Sequence, residues 1–333
     1  MDINKWFLRD NYQPTNASSG FFTSQGEDNE SVHVWKDIDL ILMTSEASIA
    51  SSVNKNIHLL YNHFPFQRLF FAGSLIDNNA ELAREALHSF YKQGITSFFA
   101  GGNLRLASEL AAENDLRVTC IANALPQTEE IRDNYKYIGY QRHLSEYKAL
   151  KYIEEFCPDS LSLGQMKSNG HLLEPLLRDT EVLYVNLNVI RSAEVPGLNT
   201  AWPSGLNTEE LCQIAKIAGS SNRLKAILLD AGDLAASPGQ FESRLIVEFF
   251  WYLLEGIQCK QKDHPAFNSN ISEYVVNMAD FDTELIFVKS NISNKWWLRI
   301  QDSETNPFLS CAHEEYQQSV RNEIPERLLR HIL

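Results

Sequence analysis

Long apolar runs are missing from this chain of 333 residues. No stretch approaches the roughly 20 apolar residues that span a bilayer. The opening Met1-Asp2-Ile3-Asn4-Lys5-Trp6 holds no apolar core of signal-peptide length. Basic clusters are missing too. Lys and Arg number 29 against 43 Asp and Glu, and the net charge of −14 offers no basic face to nucleic acid or to an anionic membrane. Cysteine is scarce: Cys120, Cys157, Cys212, Cys259 and Cys311 are widely spaced, with no Cys-x-x-Cys pair. That argues against a zinc ribbon or a disulfide framework and for buried free thiols. Gly101-Gly102 does not extend into a G-x-G-x-x-G or P-loop pattern, which leaves a nucleotide-binding loop without support. Ser204-Gly205 lacks the flanks of a nucleophile elbow, so a serine hydrolase has little basis. Internal repeats and low-complexity tracts are absent. A cytoplasmic location is expected, and 44% apolar residues suffice for a substantial core.

Residues 1–36 are polar, rich in Ser, Asn and Gly between Tyr12 and Ser31, and read as an extension with one short helix near Trp6. From Asp39 onward, short apolar runs alternate with amphipathic helices, the pattern of a parallel sheet with crossover helices. Strands are expected at Asp39–Met43, Leu69–Ala72, Ser97–Ala100, Arg117–Ala122, Tyr137–Gly139, Val182–Val185 and Lys225–Asp230. One helix is expected within 45–65, using Ile57, Leu59, Leu60 and Tyr61 and stopped by Pro65. Another is capped by Asp77, carries Ala83, Ala86, Leu87, Phe90 and Tyr91 on one face, and closes at Gly94. Further helices follow from Leu104 to Ala111 and over 145–156. The helix from Phe241 to Ile257 has Phe249, Phe250, Trp251 and Tyr252 on several sides. It is therefore deeply buried or shared with a neighbouring subunit. The chain then changes character. Glu273–Met278, Leu285–Lys289 and Trp296–Ile300 read as a small antiparallel piece, in which alternating faces would bury one ring of Trp296-Trp297 and expose the other. This divides the chain into an extension (1–36), an α/β domain (37–262) and a C-terminal extension packed on it (263–333).

Chemistry in such a sheet gathers where strands end. Val182-Leu183-Tyr184-Val185, apolar without alternation, suits a central strand covered on both faces. It runs into Asn186-Leu187-Asn188, then a loop with Pro196-Gly197 and Pro203-Ser204-Gly205-Leu206. Asn207 with Glu210 three positions on is a capping box for the next helix. Asn186 and Asn188 share one side of the sheet edge. His143 follows another strand, where it is either an acid–base group or an exposed histidine at a helix start. Asp230 and Asp233 form a carboxylate pair at a third strand end, or else one of them caps a helix or stays solvated.

On these residues the chain resembles the ureohydrolases (arginase, agmatinase and formimidoylglutamase), which carry Asp-x-Asp at this strand end, then a Pro-Gly and a Pro-x-Gly-Leu before a helix. The resemblance covers residues 37–258. It implies a three-layer α/β/α fold with a mostly parallel sheet, two manganese ions bridged by a hydroxide, guanidinium-type substrates, and trimers or hexamers. In the family the ligands come from three strand ends. At the first, Gly-Gly-Asp-His, this chain has Gly101-Gly102-Asn103-Leu104. At the second, Asp-Ala-His-x-Asp, it has Ile121-Ala122-Asn123-Ala124-Leu125, and at the third Asn186-Leu187-Asn188. The glutamate that contacts the guanidinium falls on Gly232, and the substrate loop is cut to the stretch from Pro126 to Lys136.

Manganese is a hard cation that wants carboxylates and imidazoles, and a bridged pair needs several negative charges. Leu104, Ile121, Asn123, Leu125, Asn186 and Asn188 offer none. The expectation is a non-catalytic relative with a binding, regulatory or assembly role, holding no metal, as a homo-oligomer or with a protein partner. The alternatives are a manganese-dependent hydrolase of a guanidino or formimidoyl substrate, or metal-independent binding of a small polar ligand in the former cleft. Asn103, His143, Asp230 and Asp233 are further candidates for such contacts. Leu104, Ile121 and Leu125, packed into the former metal cavity, would contribute about 1.5–3 kcal/mol each.

Overall fold

The computed structural model describes residues 5–8, 38–64, 67–77, 79–195, 202–231, 240–278, 283–300 and 307–332. Its first unit comprises β1 (Phe7–Leu8), β2 (Leu40–Thr44), α1 (Ala47–Ile57), β3 (Leu69–Leu75), α2 (Ala80–Lys92), β4 (Thr96–Ala100), α3 (Leu104–Asn114), β5 (Val118–Ile121), β6 (Lys136–Tyr140) and α4 (Tyr147–Phe156). It continues through β7 (Leu161–Ser162), α5 (Leu163–Ser168), α6 (Leu173–Arg178), β8 (Val182–Asn186), α7 (Thr208–Gly219), β9 (Ala226–Asp230) and α8 (Gln240–Gln258). The second unit is β10 (Ile271–Met278), β11 (Thr283–Ser290), β12 (Trp296–Arg299), β13 (Phe308–Cys311), α9 (His313–Val320) and α10 (Glu326–Ile332).

The first unit holds one sheet in the order β1-β3-β2-β4-β9-β8-β5-β6-β7. All its pairings are parallel except that of β1, which runs antiparallel to β3. Alternate side chains divide the core in two. Leu40, Leu42, Leu183 and Val185 face α1, α5, α6, α7 and α8. Ile41, Met43, Val182 and Tyr184 face α2, α3 and α4. Three layers result, as the apolar runs predict. The helix α8 is deeply buried on one side, with Phe249, Phe250, Leu253 and Leu254 at 1% exposure or less. It crosses α7 at the closest approach two helices allow: a Cβ on Gly256 would lie 2.0 Å from the Lys216 carbonyl oxygen, and one on Gly219 2.3 Å from that of Leu253.

Several local expectations are corrected. Lys5 stands in a 3₁₀ turn that leads through Trp6, the residues before it lying outside the described ones; Phe7 and Leu8 then add a strand to the sheet edge, and Trp6 and Phe7 are buried against Phe90. The first helix stops at Ile57, because Leu59 and Tyr61 point to solvent (63% and 82% exposed) and the apolar stripe ends there. The proposed stop, Pro65, lies outside the described residues, as does the Tyr12–Ser31 segment. Asn79, not Asp77, caps α2: its side chain accepts from the Glu81 N–H at 2.8 Å, one turn before the buried Ala83. Four of the five cysteines are buried thiols, but Cys259 is exposed.

Trp296 and Trp297 are both buried, at 7% and 1% exposure. Their faces do alternate, but the sheet β10-β11-β12-β13 is covered on both sides. Trp296 stacks on Tyr316 of α9 at 4.6 Å, while Trp297 lies under the Arg178 guanidinium of α6 at 4.5 Å. No helix among the described residues is long and apolar enough to cross a membrane.

Candidate functional site

The strand order sets the ends of β4, β9, β8, β5 and β6 side by side, so residues far apart in sequence meet along one edge. At the end of β4, Gly101 (φ 104°) turns the chain beneath β2, donating its N–H to Leu229 C=O at 2.8 Å. A Cβ there would lie 1.8 Å from Ser45 Oγ, so only glycine fits. Asn103 then caps α3, its side chain accepting from the Leu106 N–H at 2.9 Å. That fixes the amide in a structural role on the surface.

At the end of β8 and β9 a tighter arrangement forms. The Tyr184 hydroxyl donates to Asp230 Oδ2 at 2.7 Å. Asn186 directs its Nδ2 toward the same hydroxyl (3.3 Å) and the same carboxylate oxygen (3.5 Å), while its Oδ1 accepts from the Asn188 N–H at 2.9 Å. Burial, then the charge of Asp230, pushes the Tyr184 phenol far above its ordinary range, so it stays a donor. Asn186 and Asp230 are paired across the two strands and are half-buried, as is Asn188. Asp233 and Gly232 lie outside the described residues, as does Pro196-Gly197.

Neighbouring β5 brings Asn123, half-buried, whose carbonyl accepts from the Gln141 N–H at 2.8 Å. The three aliphatic positions do not converge. Ile121 is wholly buried in the layer of α7 and α8, whereas Leu104 and Leu125 belong to the opposite layer with α2, α3 and α4. They form no single plug in a former cavity. His143 is exposed and meets Trp202 edge-on at 6.1 Å, a rim contact away from the Asn186–Asp230 pair.

One residue escaped the sequence reading. Gln141, directly after β6, is 4% exposed and donates from Nε2 to Ser204 C=O at 3.0 Å, while its Oε1 has no partner among the described residues. A polar side chain immediately after an apolar strand, at the same edge as Asn123 and Asn186, was the available signal. Among the described residues, no group of three or more His, Cys, Asp or Glu side chains comes together as a metal ion requires. A cavity of about 810 Å³ opens elsewhere, between α7 and α8, lined by Glu209, Glu248, Trp251 and Tyr252 among others.

No family model and no curated protein matches the chain. Solved structures do. A formiminoglutamase of Trypanosoma cruzi with Mn2+ is 14% identical, with a TM-score of 0.58 over 72% of this chain and 97% of that one. The formimidoylglutamase of Bacillus subtilis is also 14% identical, with a TM-score of 0.52 over the same shares. The proclavaminate amidino hydrolase of Streptomyces clavuligerus is 15% identical, with a TM-score of 0.54 over 67% of this chain and 93% of that one. The chain has the arginase-like α/β fold, to which the four-stranded C-terminal sheet is an addition.

Proposed function

We propose, with the arginase-like fold as premise, that this chain belongs to the ureohydrolase family, has given up the two-manganese chemistry, and works by binding and assembly. The observation that carries this reading is the row of side chains at the ends of β4, β9, β8 and β5. A bridged pair of hard cations needs several carboxylates and imidazoles. Among the described residues the row supplies Asn103, Leu104, Asn123, Asn186 and Asn188, and the carboxylate of Asp230 is engaged by Tyr184 and Asn186. An asparagine offers an oxygen of the right reach but no charge, and leucine offers nothing. The described residues of this row do not fit a two-manganese centre.

A second reading has its own support. The buried Oε1 of Gln141 accepts from no donor among the described residues, and it stands on the same edge as the asparagine amides. Metal-independent binding of a small polar ligand with N–H groups would satisfy it. Either reading makes the protein a binder rather than a metallohydrolase, acting in the cytoplasm.

Metal content separates these readings from catalysis. After incubation with manganese and desalting, plasma mass spectrometry is expected to find essentially no manganese on the chain. Two equivalents per chain would overturn the proposal and restore the manganese hydrolase.

A further inference from the structure

The C-terminal sheet ends in β10, which pairs with β11 and with no other strand among the described residues. Two hydrogen bonds show which of its backbone groups face outward. Asn291 N–H donates to Asn270 C=O at 3.1 Å, and Ser290 N–H donates to Lys295 C=O at 2.9 Å. Opposed residues of an antiparallel pair alternate between exchanging hydrogen bonds and not. The even-numbered residues of β10 therefore bond to β11. Ile271, Glu273, Val275 and Asn277 turn their N–H and C=O groups away from the sheet.

This edge lacks the usual guards. It contains no lysine and no proline, and its register with β11 is unbroken over eight residues. Its single charge, Glu273, is drawn inward to Arg299 of β12. Val275, at the centre of the outward row, is 59% exposed.

We propose that β10 pairs antiparallel with β10 of a second copy of this chain, about a two-fold axis at Val275. The strand is self-complementary in that register. Val275 faces Val275 of the partner subunit, Glu273 faces Asn277 of the partner subunit, and Tyr274 faces Val276 of the partner subunit. No like charges meet, an amide stands opposite the carboxylate, Ser272 faces Met278 of the partner subunit, and the central pairs are β-branched or aromatic. Outward-turned residues meet outward-turned residues, so both ladders close and the two sheets become one of eight strands. A strand whose one charge is neutralised from within its own sheet has little to select a charged peptide, and a two-fold at Val275 sets its polar Glu273 and Asn277 opposite each other. The inference rests on the assembly part of the proposed function and is independent of the strand-end row. Manganese retention would end the non-catalytic reading and leave the dimer intact; a monomer would do the reverse.

Sedimentation velocity of the intact chain across the micromolar range tests it. Val275→Pro removes one outward N–H and leaves every β10–β11 hydrogen bond. Val275→Lys sets two ammonium groups face to face. The unaltered chain is expected to be a dimer, and each variant to weaken association about tenfold or more. Mixing Val275→Lys with Val275→Glu should restore it. Because Val275 is mostly exposed, the thermal unfolding of the Lys variant should match that of the unaltered chain diluted until it is monomeric, which separates lost pairing from lost folding. A monomer at every concentration, or an assembly that survives both substitutions, overturns the proposal.

Discussion

Tyr184, Asp230 and Asn186 tie together the ends of two central strands, and the tyrosine hydroxyl is the hinge of that tie. Its hydrogen bond reaches an ionised carboxylate, the class worth about 1.5–3 kcal/mol rather than the usual one. Tyr184→Phe should lower the urea midpoint by a corresponding amount at unchanged slope; a loss below roughly 0.5 kcal/mol would mean that solvent satisfies Asp230 equally well. Asn188 lies in the 3₁₀ turn Leu187–Val189, where strand alternation no longer sets its side, but the place of Asn186 at a strand end was legible in the sequence, because an unbroken apolar run leads into it. The fate of Leu104, Ile121 and Leu125 was not. Matching a motif counts positions along the chain, whereas burial depends on which face each position takes, and one step along a strand reverses that face. Ile121 pairs with Val185, next to the Cys120–Tyr184 pair, and so faces away from the layer that takes up Leu125.

Between elements, the contact of α7 with α8 carries the sharpest constraint. Gly219 and Gly256 let two backbones touch with no side chain between them, so a methyl group at either position must push the helices apart. Gly256→Ala gains helix propensity of about 1 kcal/mol, yet the overpacking should outweigh it and destabilise the protein by about 1–3 kcal/mol. Thermal unfolding decides the sign, and a stabilised variant would show that the helices slide apart freely. Most of this architecture was readable, because β2, β4, β8 and β9 are apolar runs longer than any accident and α2 and α8 hold a clear periodicity. The elements not foreseen were β1, β13, α9 and α10 at the two ends of the chain and β7, α5 and α6 within the large sheet's unit. Two residues of strand and six of helix are too short to display a period. The paired tryptophans were misjudged for a different reason. Alternation tells which way each ring points, and only the tertiary packing tells that both directions lead into protein.

Across the whole molecule, the second unit is fastened to the opposite edge of the large sheet, where the strands begin. Arg327 of α10 donates to Glu315 at 2.8 and 2.9 Å, to Asp159 at 3.0 Å and to Ser310 C=O at 2.9 Å. Asp179, just before β8, accepts from Ser310 Oγ at 2.7 Å, and Arg178 reaches Trp296 C=O at 2.7 Å. Burial alone would raise the Asp159 carboxyl, but Lys136, His331 and Arg327 hold it well below the ordinary carboxylate range. A depressed carboxylate stabilises the fold fully above about pH 4 and loses that contribution as the pH falls further. Arg327→Leu would leave the buried Glu315 carboxylate without its guanidinium and Asp159 with Lys136 and His331 alone; it should cost about 3–5 kcal/mol and weaken this acid limb in part. Tryptophan emission followed through acid and urea titrations, with Trp296 and Trp297 as local reporters, would expose the claim if the variant behaved as the unaltered chain does. The order of the large sheet has another consequence, for the chain as it is made. Strands β1 to β4 and β5 to β7 are synthesised as two blocks that share no hydrogen bond, because the gap between them belongs to β8 and β9. A nascent chain halted before Glu181 is thus two half-sheets with raw edges along β4 and β5. The centre of the molecule is the last of the sheet to leave the ribosome, and until it emerges the newborn chain needs shelter from its neighbours.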